Sequence, residues 1–395
     1  MIRHCRIPLL LVVSLLTIAA TAQQTPAARV IDLKASDGTL LKATYFAAAK
    51  SGPGVLLLHQ CNRQRKVWDD LARQLAAAGI NVLTFDLRGF GESGGTRFDK
   101  LTPEENAQVQ AEKWPGDIDT AFQYLVSQQG VERDVIGVGG ASCGVNNSIQ
   151  TARRHPADVK SLVLLSGGTD LPGRQFLHRE SEPPALFAVA DDDEFRPTVE
   201  VMPWLFSVDS NPGKKFVHYA KGGHGADMFA VHPELRGVIV DWYVTTLIKT
   251  PGRAPAEKSS DPALQSGEIL NQIDLPGGVE KAAQKLAEAR RNDHKAVIFP
   301  ETIVNLMGYE HLQAGDTKGA VEIMKLNVTA FPESPNAYDS LSDAYLADGQ
   351  KDLARQNASK AIELLANDTT DPQARRDAIR DSAQQKLKQL GEAQP

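Results

Sequence analysis

Apolar residues in this chain recur with two different periods, and the change from one to the other divides it. Up to about residue 249, short apolar runs of strand length alternate with stretches of helical spacing. Residues 30–35 and 40–46 alternate apolar and polar around Ser36-Asp37-Gly38-Thr39, which predicts an antiparallel hairpin because Asp-Gly accepts the tight turn. Residues 54–59 are apolar until His59, as suits a strand covered on both faces. Further strands are predicted at 80–85, 135–138, 161–165, 185–190 and 216–219. Between them, Trp68, Leu71, Ala72, Leu75 and Ala76 recur at helical spacing and Gly79 closes the helix. Ile118, Ala121, Phe122 and Leu125 mark a second helix, residues 145–152 a third, and Val238, Ile239, Trp242 and Tyr243 a last one. This alternation predicts an α/β fold with a mostly parallel sheet and helices on both faces. Prolines, small residues and charges then break the pattern, so 250–277 reads as a linker, and from 278 to 395 only helical spacing remains.

One stretch organises the rest. In Val135-Ile-Gly-Val-Gly-Gly-Ala-Ser-Cys-Gly144 a buried strand runs into a turn too tight for ordinary residues, and His155-Pro156 stops the helix that follows. Ser142 sits at the apex of Gly140-Ala141-Ser142-Cys143-Gly144, a G-x-S-x-G pattern whose strand–turn–helix context makes it a nucleophile elbow. The polar stretch 94–116 is long for a connection and is expected to border the site.

Length and charge narrow the classes. A chain of 395 residues exceeds what one core usually holds, and a formal net charge of −6 without any Lys/Arg cluster excludes a nucleic-acid footprint. Arg3 and Arg6, the apolar run 7–20 and Ala20-Thr21-Ala22 read as a signal peptide over 1–22, with the mature chain starting near Gln23. The run is short for a bilayer span and Pro8 interrupts it, so no stable membrane anchor is expected. The expected location is exported, periplasmic or secreted. Of three cysteines, Cys61 and Cys143 remain after such cleavage.

Residues 29–248 resemble the α/β-hydrolase family, in particular its dienelactone-hydrolase and esterase-like members. The elbow carries the resemblance, together with Asp86-Leu-Arg-Gly-Phe-Gly-Glu-Ser93, whose Asp86 and Arg88 are expected to fix a turn. The family orders its triad serine, acid, histidine. That order implies Ser142 as nucleophile, and Ala190-Asp-Asp-Asp193-Glu-Phe-Arg-Pro197 maps the acid onto Asp193, with Asp191 and Asp192 as rivals. Lys221-Gly-Gly-His224-Gly matches the histidine loop, so His224 is the implied base, whereas His218 lies within a strand and His155 and His232 precede prolines. The implied oxyanion donors are the backbone N–H of Cys143 and that of Gln60 or Cys61 in His59-Gln60-Cys61, where Gln60 stands in place of the family's glycine. The same alignment brings Cys61 and Cys143 to two sides of one oxyanion hole, where they are expected either to form a disulfide or to remain two small buried thiols. The resemblance implies a serine hydrolase for a small-molecule acyl substrate, most simply an ester, with no metal or cofactor. A serine peptidase of the same fold is the nearest rival.

Shifting the C-terminal part by 34 residues lays Met307 on Leu341, Gly308 on Ser342, Gly315 on Gly349 and Ala320 on Ala354, which resembles tetratricopeptide repeats. His311 and Asn327 depart from the pattern, and helices near 278–291 and 379–390 are expected to cover the ends. An ordinary helical bundle is the alternative. Repeats imply a protein partner, and hence a second class of function in which the hydrolase part is secondary. On this reading the 23–249 part is expected to fold without the rest.

Overall fold

The computed structural model describes residues 27–179, 181–256, 267–369 and 371–391, so the signal-like segment 1–22 lies outside the described residues. Eight strands form one sheet in the order β1-β2-β4-β3-β5-β6-β7-β8. They are β1 Arg29–Lys34, β2 Leu40–Phe46, β3 Gly52–Leu58, β4 Asn81–Phe85, β5 Val131–Ala141, β6 Val159–Leu165, β7 Ala185–Ala190 and β8 Lys215–Tyr219. The hairpin β1–β2 and the β2–β4 pair are antiparallel, and every pairing from β4 through β8 is parallel. β3 and β4 are buried along their whole length, which is why neither alternates apolar and polar residues, with Asn81 and Thr84 the polar residues of β4.

Alternate side chains of the sheet feed two cores. Val55, Leu57, Val82 and Leu186 pack on one face with α1 (Asp69–Ala77) and, further along the chain, Leu235, Ile239 and Tyr243. Leu56, Leu58, Leu83 and Phe187 pack on the other. There they meet α3 (Trp114–Ser127) and α4 (Cys143–Arg154). The stretch 94–116 holds α2 (Pro103–Glu112), whose start is fixed by a reciprocal cap between Thr102 and Glu105. Its faces are all polar or exposed, so no apolar stripe marks it in the sequence. α5 (Leu171–Leu177) and α6 (Pro197–Val208) follow β6 and β7, and α7 (Met228–Val231) and α8 (Glu234–Tyr243) follow β8.

α6 escapes a periodicity reading for a physical reason. Val201 to Phe206 are all buried, without a polar stripe, because α6 lies between the sheet and a second layer of helices. That layer is α9 (Gly267–Ile273), α10 (Gly278–Asn292), α11 (Glu301–Gln313), α12 (Thr317–Ala330), α13 (Pro335–Ala347), α14 (Lys351–Leu365) and α15 (Gln373–Gln389). Successive helices from α11 to α15 pack on one another, and α13 begins 34 residues after α11, as α14 does after α12. Leu270, Ile273, Ile303 and Met307 join Met202 and Trp204 in one uninterrupted core. Each such side chain contributes about 1.5–3 kcal/mol relative to exposure.

The expectation of a plain linker over 250–277 is therefore corrected in part: α9 lies within it, docked on α6. A polar knot sits beside this apolar seam. Arg174 of α5, 2 % exposed, pairs with Glu310 of α11 and reaches Asp274 at 3.2 Å, while its guanidinium lies 4.5 Å over the Trp204 ring. Burial pushes the Glu310 carboxyl up to about 7 against the pull of Arg174. His311, one of the departures from the repeat pattern, spends its ring on Asp274 and Asp316, at 3.3 and 2.8 Å.

Candidate active site

Ser142 occupies the turn between β5 and α4 with φ 54 and ψ −120, a conformation a side-chain-bearing residue rarely adopts. The neighbouring glycines make it possible. A Cβ on Gly140 would lie 2.1 Å from the Gly144 carbonyl oxygen, and one on Gly144 would lie 2.5 Å from that of Leu58. Strand, helix and β3 thus meet at distances only glycine allows, and the Ser142 N–H is tied to Leu165 O at 2.9 Å. Ser142 remains partly exposed at the C-terminal edge of the sheet.

The loop after β7 brings the acid. Asp193 is fully buried, and both its oxygens lie 2.9 Å from His224 Nδ1. Asp193 also accepts the Phe195 N–H at 2.8 Å and the Thr198 hydroxyl at 2.7 Å, so its carboxylate is held from three sides. The two neighbouring carboxylates are engaged elsewhere: Asp191 meets His218 Nε2 at 2.7 Å, and Asp192 accepts the N–H groups of Gly222 and Gly223. Since Asp193 accepts from Nδ1–H, the imidazole lone pair lies on Nε2. That atom is buried and has no hydrogen-bond partner, and the exposed Phe195 ring lies 4.7 Å from the imidazole.

His155, His232 and His59 are accounted for by packing and hydrogen bonds. His155 stacks on Phe122 and bonds Asp119, and His232 stacks on Tyr219. His59 is buried at the end of β3, where Leu87 N–H donates to its Nε2 and its Nδ1–H donates to Gln60 O. Burial holds its pKa below the usual value.

Asp86 is also structural. It accepts the backbone N–H of Arg65 and of Glu92 and pairs with the buried Arg65 guanidinium, while Arg88 grips Asp117 through two 2.7 Å bonds. Cys61 and Cys143 are joined by a disulfide with Cα atoms 5.9 Å apart. This bond fastens the loop after β3 to the residue that follows Ser142. A cleft of about 500 Å3 opens beside Cys61, walled by Asn62, Gly89, Phe90, Arg97 and Phe98, so the stretch 94–116 does reach the neighbourhood of the site. Thr198 and the Gln60 side chain are the residues sequence reading missed; Thr198 stands next to the proline that opens α6, and nothing else in the sequence marks it.

The elbow and much of the sheet lie in the part of the chain that matches a known family. Residues 50–190 match the serine aminopeptidase S33 family. Over those residues the chain is similar to that family. The match includes Ser142 and ends before Asp193 and His224. Among curated proteins, the chain is 27 % identical over 117 residues to a thiohydrolase of Aspergillus aculeatus, covering 29 % of this chain and 34 % of that one. It is 30 % identical over 148 residues to an uncharacterized protein of Mycobacterium tuberculosis, covering 37 % and 48 %. The chain thus spans about half or less of the curated relatives it matches. A solved dienelactone hydrolase from Anabaena variabilis aligns with TM-score 0.44 at 18 % identity, over 57 % of this chain and all of that one. Among the described residues, no group of three His, Cys, Asp or Glu side chains is placed to hold a metal ion.

Proposed function

We propose that the protein is a serine hydrolase that cleaves an ester or related acyl bond through Ser142, His224 and Asp193. The observation that carries this reading is the buried Asp193–His224 pair, whose free Nε2 has no partner within the protein. A serine hydroxyl needs such a base to act at neutral pH. His224 Nε2 takes the Ser142 proton as Oγ attacks the acyl carbon, and Asp193 stabilises the imidazolium. The proton then passes to the leaving group, and a water activated by His224 releases the acid. The backbone N–H of Cys143, at the first turn of α4, and that of Gln60 or Cys61 face the developing oxyanion, each such donor being worth about 2.7–4 kcal/mol.

Amide cleavage is the second reading, favoured by the S33 aminopeptidase match. p-Nitrophenyl esters of graded chain length, acyl thioesters and aminoacyl-arylamides, offered to wild type and Ser142→Ala, separate the cases. Turnover of esters that vanishes in Ser142→Ala supports the reading; turnover that survives that change sinks it.

We read the protein as exported to an oxidising compartment, which the N-terminal pattern and the Cys61–Cys143 bond support. Among the described residues, no helix is long and apolar enough to cross a membrane. We read α11–α14 as two tetratricopeptide-like units, supported by their equal 34-residue offsets, with a protein partner as their expected ligand.

A further inference from the structure

We propose that the Gln60 side chain is a positioning residue that fixes the height of the histidine loop, and so the placement of His224 Nε2 relative to Ser142. This rests on the reading of Ser142, His224 and Asp193 as a triad. The Asp193 bond sets the direction of the imidazole, and Asp192 holds the backbone before it through the N–H groups of Gly222 and Gly223, which leaves the stretch just after His224 to be fixed. The Gln60 amide supplies the missing constraint.

Gln60 is fully buried, so leaving its amide unsatisfied would be costly. Its Oε1 accepts the Ala226 N–H at 2.8 Å, and its Nε2 donates to His224 O at 3.3 Å and to Asn62 Oδ1 at 2.9 Å. The amide therefore grips the peptide units on both sides of Gly225, the residue after the base. Gly225 has φ 58, and a Cβ there would lie 2.6 Å from Gln60 Oε1 and 3.1 Å from the Ala141 Cβ. The loop fits between the amide and the residue preceding the nucleophile only because position 225 lacks a side chain. The next residue, Cys61, is bonded to Cys143 on the far side of Ser142. Two consecutive residues thus tie the loop after β3 to the base and to the nucleophile. The glycine that the family's motif would place at position 60 offers no side chain to do this. In this chain the glycine stands across the contact, at 225.

The test uses the full-length protein and Gln60→Met, which keeps the length and apolar volume but makes no hydrogen bond. With a p-nitrophenyl ester, kcat is expected to fall about 10–100-fold while KM moves less than about threefold, the size of loss expected when a catalytic group is displaced by about 1 Å. The far-downfield proton resonance of His224 Nδ1–H should shift or broaden. Gly225→Ala, which pushes the loop off an intact Gln60, should reproduce both effects and serves if Gln60→Met does not fold. Wild-type kcat and an unmoved resonance in a folded Gln60→Met overturn the proposal, as does a lowered melting temperature with both unchanged. A wild type that cleaves no ester faults the triad reading instead, and the resonance still decides whether Gln60 holds the histidine.

Discussion

The two regions of this chain store their strain differently. Among the described residues, the only non-glycine residues with positive φ are Ser142 and Ser166, both at strand ends of the α/β region. In the helical region the left-handed positions are Gly277, Gly315, Gly349 and Gly391, where the turn costs nothing. The α/β region also buries His224 Nε2 and Ser166 Oγ without partners. The helical region has its own unpaired atoms, such as Asn327 Oδ1, but none beside a strained serine. Strain beside an unpartnered imidazole nitrogen fits the proposed chemistry, whereas relief at every turn fits a scaffold. The scaffold is not remote from the chemistry, because α9 and α11 pack on α6, whose first turn carries the Thr198 that holds Asp193.

The largest effect that sharpens this contrast is on turnover. Ser142→Ala and His224→Ala should each lower kcat by about four orders of magnitude or more, and the double variant should lose little further, because a triad acts as a unit. Steady-state ester hydrolysis measures it, and additive losses would break the account.

Next comes the seam between the regions. A chain ending at residue 249 exposes the outer face of α6 and leaves Arg174 without Glu310 and Asp274. The apolar burial lost at this seam amounts to about 1.5–3 kcal/mol per side chain, so poor solubility and weakened activity are expected. A soluble, fully active 23–249 fragment, checked by gel filtration and ester hydrolysis, would make the helical region a mere appendage.

The disulfide closes a sequence separation of 82 residues within the α/β region. Replacing both cysteines with serine should cost about 4 kcal/mol in denaturant unfolding.

The smallest effect is a pH dependence at the seam. The folded-state pKa of Glu310 is raised from 4.5 to about 7, so the native state holds a proton that the unfolded chain has already released. Its contribution is present below about pH 4.5 and is lost as pH rises through about 7. Relative to Glu310→Gln, wild type should lose at most about 3 kcal/mol across that window, read from melting curves at successive pH values. A difference that grows in the opposite direction contradicts the buried placement.

How much of this was legible follows from the same physics. Strands such as β3 and β6 are mostly apolar runs, and the elbow needs glycines at fixed positions, so both leave a local mark. Asp193 and His224 were reached through the order of motifs, and the structure brings them within 2.9 Å of each other. α6 left no mark because it is buried on all sides, α2 because it is buried on none. α5 and α9 are single short helices of seven residues, too brief for a period to declare itself. The role of the Gln60 side chain was hidden because the two partners that give it that role, His224 and Ala226, lie more than 160 residues away in the chain.

The central claim is that Ser142 is a nucleophile activated by His224, and active-site labelling tests it most directly. A fluorophosphonate probe applied to full-length protein should modify one residue, identified as Ser142 by peptide mass spectrometry, and should leave Ser142→Ala unlabelled and His224→Ala labelled far more slowly. Labelling that persists in Ser142→Ala, or a wild type that never reacts, would contradict it.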